Sequence, residues 1–228
     1  MLIKWGSIVV KGSGKLGGHV FTTTRTGATI RTSGSVRNPQ SGFQEAVRNE
    51  FTKLTQDWRL LTNIQRDSWR NAEENFTRRN RFGDIVRLTG KNLYNSLNYQ
   101  RSIIGLGRLL IAPEPQQLGE NLVTGVVFSA IGGEITITGQ FSAQGQYVVV
   151  ATNVLSKGVE FVQNKTRVVI VKPGSTDGLS ISDPSDIASA YSARFGGATI
   201  GDKLFIGTYA INEIGQRSAV SIIGVTVT

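Results

Sequence analysis

Residues 41–61 read SGFQEAVRNEFTKLTQDWRLL, and within them Phe43, Val47, Phe51, Leu54, Trp58 and Leu61 step by 4, 4, 3, 4 and 3. Steps of three and four place six apolar side chains on one stripe of an α-helix, so the stretch predicts a helix with a buried seam. Thr62-Asn63-Ile64-Gln65 follows with the residues of a capping box, the Thr62 hydroxyl accepting from Gln65 and the Gln65 side chain reaching back. It predicts a second helix carrying Ile64, Trp69, Ala72 and Phe76. A third starts at Thr89-Gly90-Lys91-Asn92, brings Leu93, Leu97 and Ile103-Ile104 a turn apart, and ends at Gly105 and Gly107.

On either side of this short helical bundle the period falls to two. Leu2 to Arg37 is rich in Gly, Thr and Val, and its patches at Ile8-Val9-Val10, His19-Val20-Phe21-Thr22 and Ala28-Thr29-Ile30-Arg31 predict short strands or hairpins. From Asn121 onward, strand patterns recur at 134–138, 147–150, 166–171, 203–209 and 221–227. Five to seven strands about ten residues apart predict an antiparallel immunoglobulin-like or fibronectin-like β-sandwich. One short helix near Pro184 to Arg194 interrupts it, with Asp183 as its cap and Pro184 at the first helical position. The expected fold is therefore α+β in two domains: residues 1–116, a basic β-arm plus helical bundle, and residues 117–228, the sandwich. The join falls at Ala112-Pro113-Glu114-Pro115-Gln116-Gln117.

Charge follows the same division. The 228 residues hold 25 Lys and Arg against 16 Asp and Glu, a net +9. Residues 1–116 carry 18 basic and 8 acidic side chains, a balance of +10, and residues 117–228 carry 7 and 8, a balance of −1. With no Cys and a single His19, disulfides, thiol nucleophiles, Cys-ligated zinc and His clusters are excluded. No stretch resembles a signal peptide and no apolar run approaches 18 residues, which predicts a soluble chain made in a cytosol.

Three motifs carry chemistry at first sight. Gly12-Ser13-Gly14-Lys15-Leu16-Gly17 spells G-x-G-x-x-G, but the residues after it are strand-like and hold no acid. A dinucleotide site needs a helix there and an Asp or Glu about 20 residues on, so the motif is read as a glycine turn. Asp177, Asp183, Asp186 and Asp202 offer carboxylate pairs, yet each lies among turn residues where Asp caps or turns the chain. The third is Arg59, Arg66, Arg70, Arg78, Arg79, Arg81 and Arg87, interleaved with Trp58, Trp69, Phe76 and Phe82. Such a face attracts phosphates, but Asp57, Asp67, Glu73 and Glu74 stand at partner spacings, which favours a solvated helix face or a charged protein contact. No enzymatic activity, cofactor or metal site is expected.

The order Gly14-Lys15-Leu16-Gly17-Gly18, then Arg37-Asn38-Pro39-Gln40, then Trp58-Arg59-x-Leu61-Thr62-x-x-Gln65-Arg66-x-x-Trp69 and Gly90-Lys91-Asn92-Leu93-Tyr94-x-Ser96-Leu97-Asn98 resembles an N-terminal module of tailed-phage and prophage virion structural proteins. Tyr209-Ala210-Ile211-Asn212-Glu213-Ile214-Gly215-Gln216-Arg217-Ser218 is similar to the late hairpin of fibronectin type III domains. The resemblance implies a virion protein made in the host cytoplasm, forming a ring or decoration in neck, tail or capsid. Its expected partners are copies of itself and other virion proteins, with no membrane. The candidate interface residues are Val20, Phe21, Ile30 and Arg31 in the arm and Arg70, Arg78, Arg79 and Arg81 in the basic segment. The alternative is a basic DNA-binding or genome-packaging protein making nonspecific contact with DNA; a hydrolase ranks third.

Overall fold

The computed structural model describes residues 2–4, 6, 12–24, 27–34, 38, 40–80, 82–142, 145–162 and 165–228. The strand expected at 8–10, part of the 37–40 block and Arg81 lie outside these residues. The architecture is mixed α+β with antiparallel sheets. The chain divides into two units, Met1–Asn95 with Leu110–Glu114, and Ser96–Leu109 with Pro115–Thr228.

The first unit begins with strands β1 (Leu2–Ile3), β2 (Gly14–Leu16), β3 (His19–Thr24) and β4 (Gly27–Thr32), which form one antiparallel sheet in the order β1-β4-β3-β2. The G-x-G-x-x-G stretch runs through β2 into a two-residue Gly17-Gly18 turn, since Leu16 pairs with His19. No helix follows, as the sequence reading expected.

Helix α1 (Gly42–Leu60) realises the stripe, but only its second half is buried. Leu54 and Leu61 are 0% and 5% exposed, whereas Phe43, Val47 and Phe51 lie between 42% and 56%. This corrects the expectation of a continuous buried seam. Nineteen residues at 1.5 Å each span about 28 Å. The aromatic groups that seal the stripe come from helix α2 (Asn63–Asn71) and the start of helix α3 (Gly90–Ile103), and they meet the last turns of α1. Tyr94 stands between Trp58 and Trp69, with ring centroids 5.4 and 5.2 Å away, and the Trp69 indole N–H donates to the Leu110 carbonyl at 3.0 Å.

The capping box is present: the Thr62 hydroxyl accepts from the Gln65 amide at 3.3 Å, and the Thr62 amide donates to Gln65 Oε1 at 2.8 Å. The second helix is nevertheless shorter than expected. It ends at Asn71, a 3-10 turn covers Ala72–Glu74, and Phe76 lies outside it. Strands β5 (Thr77–Arg79) and β6 (Ile85–Arg87) then form a hairpin where the sequence reading placed a charged helix face.

The second unit carries β7 (Asn121–Ser129), β8 (Glu134–Phe141), β9 (Gln146–Ala151), β10 (Arg167–Pro173), α4 (Pro184–Phe195), β11 (Lys203–Ile211) and β12 (Ser221–Thr226). The four-stranded sheet runs β10-β9-β11-β12, and β7 pairs with β8. Tyr147, Val149, Ala151, Leu204 and Ile206 project from the sheet into a core shared with Ile135, Ile137 and Phe141 of β8 and Ile187 and Tyr191 of α4. The opposite face is apolar too: Val148, Val150, Tyr209 and Ile211 pack with Ile103 and Ile104, the last residues of α3 and the turn after it. Because both faces are covered, residues 147–151 form an unbroken apolar run, as strands buried on both sides do. Ser96–Leu109 thus belong by contact to the C-terminal unit, while the sequence reading assigned them to the first.

Asp183 corrects another expectation. It occupies the N-cap position of α4 without a side-chain capping bond, and its carboxylate instead accepts from Lys172 Nζ at 3.0 Å.

Candidate interaction surfaces

In the arm sheet, Phe21 is directly opposite Ile30 and Val20 opposite Arg31. Opposed residues in an antiparallel pair share a face. The four candidate residues therefore lie in neighbouring pairs on the two sides of one ribbon. Thr22 and Thr29 share the Val20 face and join through their hydroxyls at 2.7 Å. Val20, Phe21 and Ile30 are half-buried, Arg31 is exposed, and no described residue of the sheet is buried. Strands β1 and β2 form its two edges.

The arginines do not stay together. Arg66 turns back onto the C-terminus of α1, donating to the Arg59 carbonyl at 2.7 Å and the Trp58 carbonyl at 3.4 Å, where a helix leaves carbonyls unsatisfied. Arg70 pairs with Asp67 one turn earlier at 2.6 Å, the intrahelical pairing the sequence anticipated. Arg78 and Arg79 lie in β5, and Arg79 donates to the Gly83 carbonyl at 3.0 Å across the turn. Arg87 in β6 pairs with Glu74 at 2.7 Å. The hairpin turn is organised by Asn80, whose side-chain carbonyl accepts from the Phe82 and Asp84 amides at 2.8 and 3.0 Å. Hydrogen bonds from Asn80 first and Lys4 second hold the Asp84 carboxyl below the usual carboxylate range.

Sequence reasoning missed this hairpin. Its signals were there: Asn80, Gly83 and Asp84 are turn residues, flanked by Thr77 and by the β-branched pair Ile85-Val86. The helical period read upstream was carried too far.

The four acids weighed as catalytic are each occupied locally. The Ser175 hydroxyl and the Leu179 amide donate to Asp177, and Thr199 donates to Asp202 through its amide at 2.8 Å and its hydroxyl at 2.9 Å. Lys172, with its side chain 13% exposed, bridges Asp183 and Asp186 at 3.0 and 2.6 Å. Among the described residues, no three His, Cys, Asp or Glu gather to hold a metal ion, and no helix is long and apolar enough to cross a membrane. A cleft of about 330 Å³ between the β7–β8 turn and α4 has Phe128 and Ala188 in its lining with the serines Ser185, Ser189 and Ser192, and contains no charged group.

Comparison with protein-family models, with curated proteins and with solved structures finds no match for this chain.

Proposed function

We propose that the chain is a structural subunit of a tailed-phage virion that assembles with copies of itself through the N-terminal arm and helical module. One observation carries the reading: the arm sheet buries none of its described side chains and presents strand edges at β1 and β2. Ordering backbone costs about 1–2 kcal/mol per residue, and a sheet without a core recovers little of it alone. Pairing of an edge with a neighbouring subunit supplies both hydrogen bonds and apolar cover, and repetition around an axis closes a ring.

The C-terminal unit supports a fibronectin-like assignment through its strand order. Strands β10-β9-β11-β12 form one layer, and β7-β8, extended by the bridge of Thr138 to Ser180, form the other. The Asn212-to-Gly215 turn leads out of β11, with Gly215 at φ 83° and its amide donating to the Asn212 carbonyl at 2.9 Å. The cover of Ile103 and Ile104 on the outer face is an addition to a plain two-layer sandwich.

Sedimentation velocity on the full chain and on residues 35–228 tests the assembly. The full chain is expected to form a discrete oligomer and the truncation to run as a folded monomer. An oligomeric truncation, or a full chain that stays monomeric at micromolar concentration, overturns the reading.

A further inference from the structure

We propose that the hairpin of β5 and β6 is a nucleic-acid contact, a basic two-stranded ribbon that takes the phosphate backbone of a duplex. This goes beyond the assembly reading; among the described residues Lys4, next to β1, meets the hairpin at Asp84 and at the Phe82 ring.

Thr77 pairs with Arg87, Arg78 with Val86 and Arg79 with Ile85. Arg79 and Arg87 therefore share one face as diagonal neighbours, and Arg78 stands on the other. Diagonal pairs on an antiparallel ribbon lie about 7–8 Å apart, close to the separation of successive phosphates along one strand. Both faces of the ribbon thus carry guanidinium groups. A duplex groove has phosphates on both walls and meets such a ribbon on both faces, whereas a flat acidic protein surface meets only one. Guanidinium, planar and five-donor, is the group suited to phosphate oxygens.

Opposing charge is scarce. The acid within the ribbon is Asp84, which is taken up by Lys4 at 3.2 Å and Asn80 at 3.1 Å. The Arg87–Glu74 pair lies in solvent, with its side chains 51% and 71% exposed, so exchanging Glu74 for a phosphate loses little. Phe82 at the turn is 44% exposed and Ile85 62%, placing an apolar tip on a basic ribbon, the combination used to wedge or stack against bases. The ribbon also belongs to the unit with 16 basic and 8 acidic residues, so the surrounding field attracts a polyanion.

The test is fluorescence anisotropy with the full chain and a labelled 30-base-pair duplex of arbitrary sequence, between 50 and 200 mM NaCl. The variants are R78Q/R79Q/R87Q and F82A, each checked for its far-UV circular dichroism and sedimentation coefficient. Each neutralised phosphate contributes about 0.9 to the slope of log affinity against log salt. The triple variant is expected to lose about 2.7 of that slope with unchanged oligomeric state, and F82A to weaken binding at unchanged slope. If the triple variant does not fold, the single R78Q, expected to lose about 0.9, takes its place. Equal slopes for wild type and variant, or no duplex binding by the wild type, overturn the proposal. Poly-glutamate binding tighter than duplex binding overturns it as well, in favour of an acidic protein partner. Oligomer size, read in the same samples, reports separately on the assembly reading.

Discussion

Tyr94 is fully buried between two tryptophans, and around it the value of each aromatic residue follows from burial rather than from its place on a stripe. Trp69 is 0% exposed, so Trp69→Ala is expected to cost about 3–5 kcal/mol in urea unfolding. Phe51→Ala, on the same sequence stripe as Leu54 but 42% exposed, is expected to cost well under half of that. Equal losses would mean that the α1 stripe is buried throughout. Tyr191 makes the opposite case: it is 1% exposed, and its hydroxyl has no hydrogen-bond partner among the described residues. Tyr191→Phe is therefore expected to stabilise the chain by about 1 kcal/mol at neutral pH. Burial first, and the negative Asp202 second, push the Tyr191 phenol up to about 12, above the usual value near 10. The folded chain then holds a proton that the unfolded chain releases, so this contribution is intact below about pH 10 and is lost as pH rises toward 12. Unfolding measured across that range should fall less steeply for Tyr191→Phe than for wild type.

At the scale of elements, α3 shows what the block from Gly90 to Asn98 does. A Cβ at Gly90 would lie 2.9 Å from the Trp69 carbonyl carbon and the Arg70 nitrogen, so Gly90 lets α3 start against the backbone of α2. Gly90→Ala is expected to cost about 1–3 kcal/mol, read from the same unfolding curves. Leu93 and Tyr94 fill the first unit, and Asn98, 0% exposed, accepts from the Leu109 amide at 2.7 Å to hold the returning loop. Arg101 donates to the Gly107 carbonyl at 2.7 Å and to the Glu213 carbonyl in the β11–β12 turn. Ile103 and Ile104 then cover the outer face of the sheet. A fragment of residues 118–228 leaves Val148, Val150, Tyr209 and Ile211 uncovered and is expected to bind a hydrophobic dye and self-associate. Residues 96–228 should stay monomeric and dye-silent. Identical behaviour of the two fragments would show that the α3 tail is not part of that unit.

At the scale of the whole molecule, salt distinguishes a contact made by strand pairing from one made by charge. An oligomer built on strand pairing is expected to keep its sedimentation coefficient from 50 to 200 mM NaCl. Contacts through several phosphates weaken by orders of magnitude over the same range. An oligomer that dissolves at 200 mM would place its interface in the basic segment instead of the arm sheet.

What the sequence by itself determined is local. The capping box at Thr62, the strand patches after residue 133 and the helix expected near Pro184 to Arg194 all appear where the spacing put them, because caps and short periodic runs depend on neighbours a few residues away. The turn roles of Asp177 and Asp202 were legible for the same reason, whereas the pairing of Asp183 and Asp186 with Lys172 was not. Tertiary structure alone decided which part of the α1 stripe is buried, since periodicity names a face but not the partner that covers it. It also decided that Arg78 and Arg79 leave the helix for a hairpin: α2 ends at Asn71, and Asn80 holds the turn that pairs β5 with β6. The second cover on the C-terminal sheet belongs here too: residues 147–150 read as a period-two strand with one buried face, and only the folded chain shows that Ile103 and Ile104, more than 40 positions away in sequence, cover the other.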